Sequence, residues 1–244
     1  MGEIHRPGRP SDLPDAWVLW SRWAALALAG YDREAERRGA GRTGIWLNET
    51  GVHLDDCGST WWTLAWLGQG RAVLFGEDDA SEVRWYNYES ERPAIDMLAG
   101  APDWLPRADL AELDDMLGCV YWWDNAAWRR APYPDDLADD GLECGISRFL
   151  DRDDLVHDMA ADLEADDGHF AEVLALCDRL VDHAERGTLT AAVLTEFVSA
   201  TICLGSPPFA EDDLPGMVAM ANRAGLDTPP WSPTLVLQQE LSPA

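Results

Sequence analysis

The chain predicts an α+β fold: an N-terminal helix, an antiparallel sheet of about five or six strands with packed helices, and a helical C-terminal region. Three observations carry this. Tryptophans at 17, 20 and 23 recur at helical spacing; residues 43–88 alternate in strand fashion between turns; and from 151 onward the apolar spacing is helical. Strand runs followed by helix runs indicate α+β and not a βαβ alternation. With 244 residues, 47% of them hydrophobic, the chain can bury a substantial core.

Residues 1–12, with Pro7, Gly8 and Pro10, read as a mobile N-terminus ahead of an α+β core domain over 13–150. A helix is expected from Ser11–Pro14, capped by Ser or Asp with Pro in its first turn. Trp17, Trp20, Trp23, Ala24, Ala27, Leu28 and Tyr31 share an arc of about 140°, a core-facing stripe. The helix can run on through DREAERR to Gly39, where Arg33, Arg37, Arg38 and Arg42 interleave with Asp32, Glu34 and Glu36 as a solvated face.

TGIWLNETGVHLDD (43–56) reads as two strands around Asn48–Gly51. In STWWTLAWL (59–67), Trp62, Leu64 and Trp66 fall on one face and Trp61, Thr63 and Ala65 on the other. GQG (68–70) turns the chain, RAVLF (71–75) returns, Gly76 ends the strand, and GEDDASE (76–82) is an acidic turn before a short strand VRWYNY (83–88). Residues 91–118 hold a short helix, a Pro-bounded turn around 100–106 and a second helix over 108–117. A hairpin at 119–131 leads into a Pro- and Asp-rich loop, 132–150, with a short strand near Cys144–Phe149.

Helices follow at 153–167, 169–187, 188–205 and 214–224, the last capped by Asp213. They make a helical region, 151–225, packed on the core. Residues 226–244, with three prolines around Trp231, form an extended or disordered tail.

Charge is the most unusual property. Eighteen basic residues, all Arg, stand against 29 Asp and 16 Glu, a net charge of −27. Such a field repels phosphate backbones and anionic lipid, so nucleic acid and membrane are excluded as nonspecific partners and a basic protein is favoured. GC-rich coding or a salt-rich cytoplasm produces the same composition without any partner. Five scattered cysteines without a C-x-x-C suit a reducing cytoplasm. AWVLWSRWAALALAG (16–30) is preceded by Asp12 and Asp15 and broken by Arg22, unlike a secretory leader, so the expected location is cytoplasmic.

The hairpin segment VYWWDNAAWRRAPYPDD (120–136) concentrates aromatics and arginines. With a four-residue loop at Asp124–Ala127, Trp123 faces Trp128, Tyr121 faces Arg130, and Trp122 faces Arg129 across the strands. If a helix buries one face, the other displays an aromatic and an arginine, the residue types enriched at binding hot spots. The alternative is a two-sided sheet whose Arg stems lie over tryptophans and pair with nearby Asp. On the first reading Trp122, Trp123, Trp128, Arg129 and Arg130 contact a basic partner, with Asp135, Asp136, Asp139 and Asp140 steering it. The function expected is then a protein-binding module of inhibitor or immunity type that masks a basic toxin or nuclease.

A second reading is a hydrolase-like enzyme or small-ligand binder with a pocket near His53, Asp55 and Asp56. His53, Asp55 and Cys57 share a strand face and are all zinc-ligand types, but no second ligand pair lies nearby, so no metal or other cofactor is expected. Glu77-Asp78-Asp79 lacks the spacing of a calcium loop. His157 and His183 each neighbour an aspartate (Asp158, Asp182), as an oriented base requires, yet no nucleophile motif accompanies them. Absence of Lys excludes lysine Schiff-base chemistry. No catalytic residue is therefore assigned. A third reading places the contact on the helical region of a regulatory subunit.

Overall fold

A computed structural model of the chain describes residues 4–33, 43–79, 81–88, 92–113, 117–163, 168–205 and 209–228. Its centre is a six-stranded antiparallel meander in which each strand pairs with the next in sequence. The strands are β1 (Gly44–Leu47), β2 (Val52–Asp55), β3 (Thr60–Gly68), β4 (Arg71–Asp78), β5 (Cys119–Asp124) and β6 (Trp128–Arg130). The α+β class is thus observed, with helices on either side of the strand run.

Helix α1 (Ala16–Ala29) begins at Asp15, whose carboxylate accepts the Trp17 N–H at 2.8 Å. It does not begin at Ser11–Pro14, because Pro14 holds Leu13 in extended backbone. Only Val18 and Arg22 of this helix escape burial. A helix apolar all round belongs inside, and α1 is the post between the sheet and the C-terminal helices. Three of its indoles are satisfied by carbonyls of three different segments: Trp17 by Glu185, Trp20 by Ala224 and Trp23 by His53. The helix stops at Gly30. The basic stretch expected to extend it, with Arg37, Arg38 and Arg42, lies outside the described residues.

The sheet's inner face packs on α1 through Leu47, Leu54, Trp62, Leu64, Tyr121 and Trp123, in one core shared with the C-terminal helices α5 (Arg152–Asp162), α6 (Phe170–Glu185), α7 (Ala191–Cys203) and α8 (Leu214–Arg223). The outer face buries Ala65, Val73, Phe75, Val120 and Trp122 under a second layer that supplies Val83, Tyr86, Met97, Leu105 and Leu110. This layer holds two short helices, α2 (Val83–Tyr88) and α3 (Arg107–Ala111).

Several local expectations are corrected. VRWYNY is helix α2, not a strand: Ser81 Oγ accepts the Val83 N–H at 3.1 Å, and Val83 and Tyr86, one helical turn apart, face the core. Residues 92–100 form turns instead of a helix. β4 continues through Gly76 to Asp78, since a side chain at Gly76 would strike the Trp61 carbonyl of β3 at 2.2 Å. Cys144–Phe149 is not a strand but a kinked helical turn, α4 (Glu143–Ile146), followed by a 3-10 turn. Residues 4–12, read from the sequence as a mobile N-terminus, lie against the fold: Ile4 is buried, and Asp12 accepts the backbone N–H groups of His5 and Arg9.

Candidate functional site

The hairpin pairs in the expected register, Tyr121 with Arg130, Trp122 with Arg129 and Trp123 with Trp128. Trp123 and Trp128 lie on the inner face with ring centroids 5.6 Å apart, and Trp128 Nε1 donates to the Pro14 carbonyl at 2.6 Å. Trp122 points outward but is covered by the second layer. Trp122, Trp123 and Trp128 are 3%, 8% and 4% exposed, so neither face displays a tryptophan, and these three are not available as surface anchors.

Asp140 is internal too, and Arg130 is half-buried. Asp140, 1% exposed, accepts from Tyr121 Oη at 2.9 Å and from the Gly8 N–H at 2.8 Å, with Cys119 Sγ at 3.5 Å. Arg130 donates to the carbonyls of Gly8 and Ala131 and stacks 3.7 Å from the Tyr133 ring centroid. Burial, reinforced by the Asp140 charge, pushes the Cys119 thiol and the Tyr121 hydroxyl well up. Gly8 is fixed by close approach: a Cβ there would lie 2.5 Å from Leu142 and 2.8 Å from Tyr121 Oη. The group knots the N-terminal segment onto the hairpin.

Of the proposed contact residues, Arg129, Asp135 and Asp136 remain at the surface. Arg129 pairs with Asp124 at 3.0 Å, and Asp136 pairs with Arg92. Asp139 is half-buried, with Arg6 at 3.6 Å. Beside them lies a surface that strand reasoning missed. Arg92 covers the Tyr86 ring on α2, and Trp85 of the same helix is 48% exposed. A shallow hollow of about 330 Å³ adjoins, lined by Tyr86, Pro93, Ile95, Pro132, Tyr133 and Pro134. The signal was available: in VRWYNY only a helical reading turns Trp85 away from Val83 and Tyr86.

The second candidate region resolves differently from its sequence reading. His53 Nδ1 lies 2.9 Å from Thr63 Oγ1, and Nε2 lies 2.9 Å from Asn48 Oδ1. An Nε2–H donating to Asn48 leaves Nδ1 to accept from Thr63, so both ring nitrogens find partners within the sheet. The ring also stacks on Trp46 at 5.1 Å. Asp55 accepts the Cys57 N–H, and Asp56 accepts from the Ser59 hydroxyl at 2.6 Å and from the Thr60 and Ser59 N–H groups, which holds the Asp56 carboxyl below its ordinary range. Among the described residues no group of three or more His, Cys, Asp or Glu is placed to hold a metal ion.

The two His–Asp pairs do not form. Asp182 pairs with Arg186 at 2.9 Å, Asp158 lies 3.8 Å from Arg148, and His183 bonds Thr188. Asp78, expected in an acidic turn, is buried in β4 and accepts from Thr60 Oγ1. No helix among the described residues is long and apolar enough to cross a membrane.

Fold and surface together define an antiparallel meander with a two-sided cover and an acidic exterior. Comparison with protein-family models, curated proteins and solved structures finds no match.

Proposed function

We propose that the protein is a binding module for a basic protein partner, in its most concrete form an inhibitor or immunity-type protein that masks a basic toxin or nuclease. The observation that supports this best is the surface formed by Trp85, Arg92, Asp135 and Asp136 on a chain of net charge −27. It combines an exposed aromatic, an arginine and carboxylates, with an adjoining proline- and tyrosine-lined hollow. The wider surface adds Asp79, Asp96, Asp103 and Glu112, all exposed, while most arginines are taken up by local ion pairs or carbonyls. A negative field of this kind accelerates encounter with a cation, and the aromatic sets the lifetime of the complex.

The test is a pull-down from native lysate at low and high salt, followed by kinetics on the partner recovered. A basic protein held stoichiometrically, released faster by Trp85→Ala and captured more slowly by Asp135→Asn/Asp136→Asn, is the expected result. Recovery of no basic protein at either salt, or kinetics indifferent to both variants, overturns the reading.

A further inference from the structure

The second layer covers the middle of the sheet and stops short of one end. Its buried contacts on the strands are Ala65 of β3, Val73 and Phe75 of β4, and Val120 and Trp122 of β5; among the described residues β1 and β2 supply none. Side chains alternate between the faces of a sheet, so the register fixes what the outer face presents beyond that cover. One row reads Trp46, His53 and Thr63 across β1, β2 and β3, and the next reads Gly44, Asp55 and Trp61. Trp46, His53, Asp55 and Trp61 are half-buried, and Thr63 between them is enclosed.

A hollow of about 310 Å³ opens on these rows, and Trp46, His53, Asp55, Trp61 and Thr63 all line it. Its volume suits a small ligand. Each indole is steadied from the protein side: Trp46 stacks on His53 with centroids 5.1 Å apart, and Trp61 meets Phe75 edge to face at 6.0 Å. Asp55 stands directly across from Trp61 and diagonal to Trp46. Cross-strand neighbours of these two kinds lie about 5 Å and about 7 Å apart, so the carboxylate sits between the two rings. On its other flank Gly44 carries no side chain, and a Cβ there would meet nothing within 4 Å.

The chemistry of this wall selects a ligand class. An indole attracts a cation brought within about 6 Å of its ring, and two indoles line one hollow. Asp55 adds a carboxylate that accepts the Cys57 N–H and forms no ion pair among the described residues. The net charge of −27 draws a ligand of the same positive sign. His53 and Thr63 are bonded to each other at 2.9 Å, which leaves Asp55 as the lining side-chain acceptor with capacity to spare. A guanidinium or primary ammonium would bring several N–H donors to that one acceptor, and a sugar several hydroxyls. An N-methylated ammonium brings no donors, and its methyl groups pack on aromatic rings.

We propose that the hollow binds a small organic cation with a trimethylammonium head, seated against Trp46 and Trp61 with its charge toward Asp55. The site shares no residue with the Trp85 surface and does not depend on a protein partner.

The experiment is calorimetric titration of the full chain, in about 0.15 M salt to screen the diffuse surface field, with four probes. These are choline, its neutral isostere with carbon in place of nitrogen, ethanolamine (a primary ammonium) and glucose. Choline is expected to bind saturably, the isostere and ethanolamine each about fivefold weaker or worse, and glucose not at all. Asp55→Asn and Trp46→Ala are each expected to weaken choline by about fivefold or more. Asp55→Asn keeps the size of the side chain and an oxygen for the Cys57 N–H, and so keeps the test decisive should Trp46→Ala fail to fold. Absence of choline binding, equal binding of the isostere, equal binding of ethanolamine (the mark of the general acidic surface), binding of glucose, or affinity unchanged in the folded variants overturns the proposal.

Discussion

The hairpin knot around Asp140 and the region around Arg148 share residue types and end in different states. Each joins an arginine and aspartate with a cysteine close by, the hairpin adding tyrosines. At the hairpin, Tyr121, Gly8, Arg130 and Trp128 all find acceptors inside the chain. Elsewhere in the core, the buried Arg148 Nε and Trp62 Nε1 do not. Chemistry-bearing residues gathered in one place therefore need not mark a site, because a satisfied network holds a fold together and has nothing left to offer a ligand.

Breaking the knot should have the largest effect. Asp140→Ala leaves the Tyr121 hydroxyl and the Gly8 N–H buried without acceptors and costs about 3 kcal/mol or more in denaturant unfolding. A cost under about 1 kcal/mol would show that water replaces the carboxylate and that the knot is not closed.

A matched pair of substitutions sharpens the contrast. Trp128→Phe and Trp62→Phe both shrink a buried indole to a phenyl ring and remove an N–H. At 128 the change strands the Pro14 carbonyl; at 62 it abolishes an unmet donor. Trp128→Phe should be the more destabilising by about 1–2 kcal/mol, measured by urea unfolding of both variants. Equal costs would mean that Trp62 Nε1 is satisfied in solution.

Much of this architecture was legible in the chain. The alternation in STWWTLAWL assigned Trp62, Leu64 and Trp66 to one face correctly, and the four-residue loop at Asp124–Ala127 set the hairpin register. What covers each face was not legible. The lid over Trp122 comes from 83–110, where short turns and one-turn helices leave no long period to read. Trp62 looks like any core strand residue; that its N–H finds no partner depends on what distant segments pack around it. Asp140 read as one acid among eight Asp-Asp pairs, although it is the buried one of its pair.

Buried thiols give a smaller effect with a definite sign. Burial pushes Cys177, fully enclosed between helices, up to about 12. The unfolded chain loses that proton in the ordinary thiol range while the folded chain keeps it. Stability conferred by the protonated thiol is thus complete below about pH 8.5 and declines as pH rises toward 12. Cys177→Ala should flatten the alkaline limb of the stability–pH curve by up to about 1.4 kcal/mol per pH unit, whatever its cost at neutral pH. An unchanged slope would mean that the thiol ionises in the folded state.

The smallest effect separates the hairpin's surface from its interior. Arg129 is 63% exposed and its ion pair with Asp124 is open to solvent, so Arg129→Ala should change unfolding free energy by less than about 0.5 kcal/mol. Arg129 also lies directly across from Trp122 on the outer face. A cost near 1.5 kcal/mol would mean that its aliphatic stem seals the second layer over that indole, and the residue would then belong to the fold. A cost near zero leaves Arg129 free for a partner, and its loss should then appear only in the association kinetics of the complex, next to those of Asp135 and Asp136.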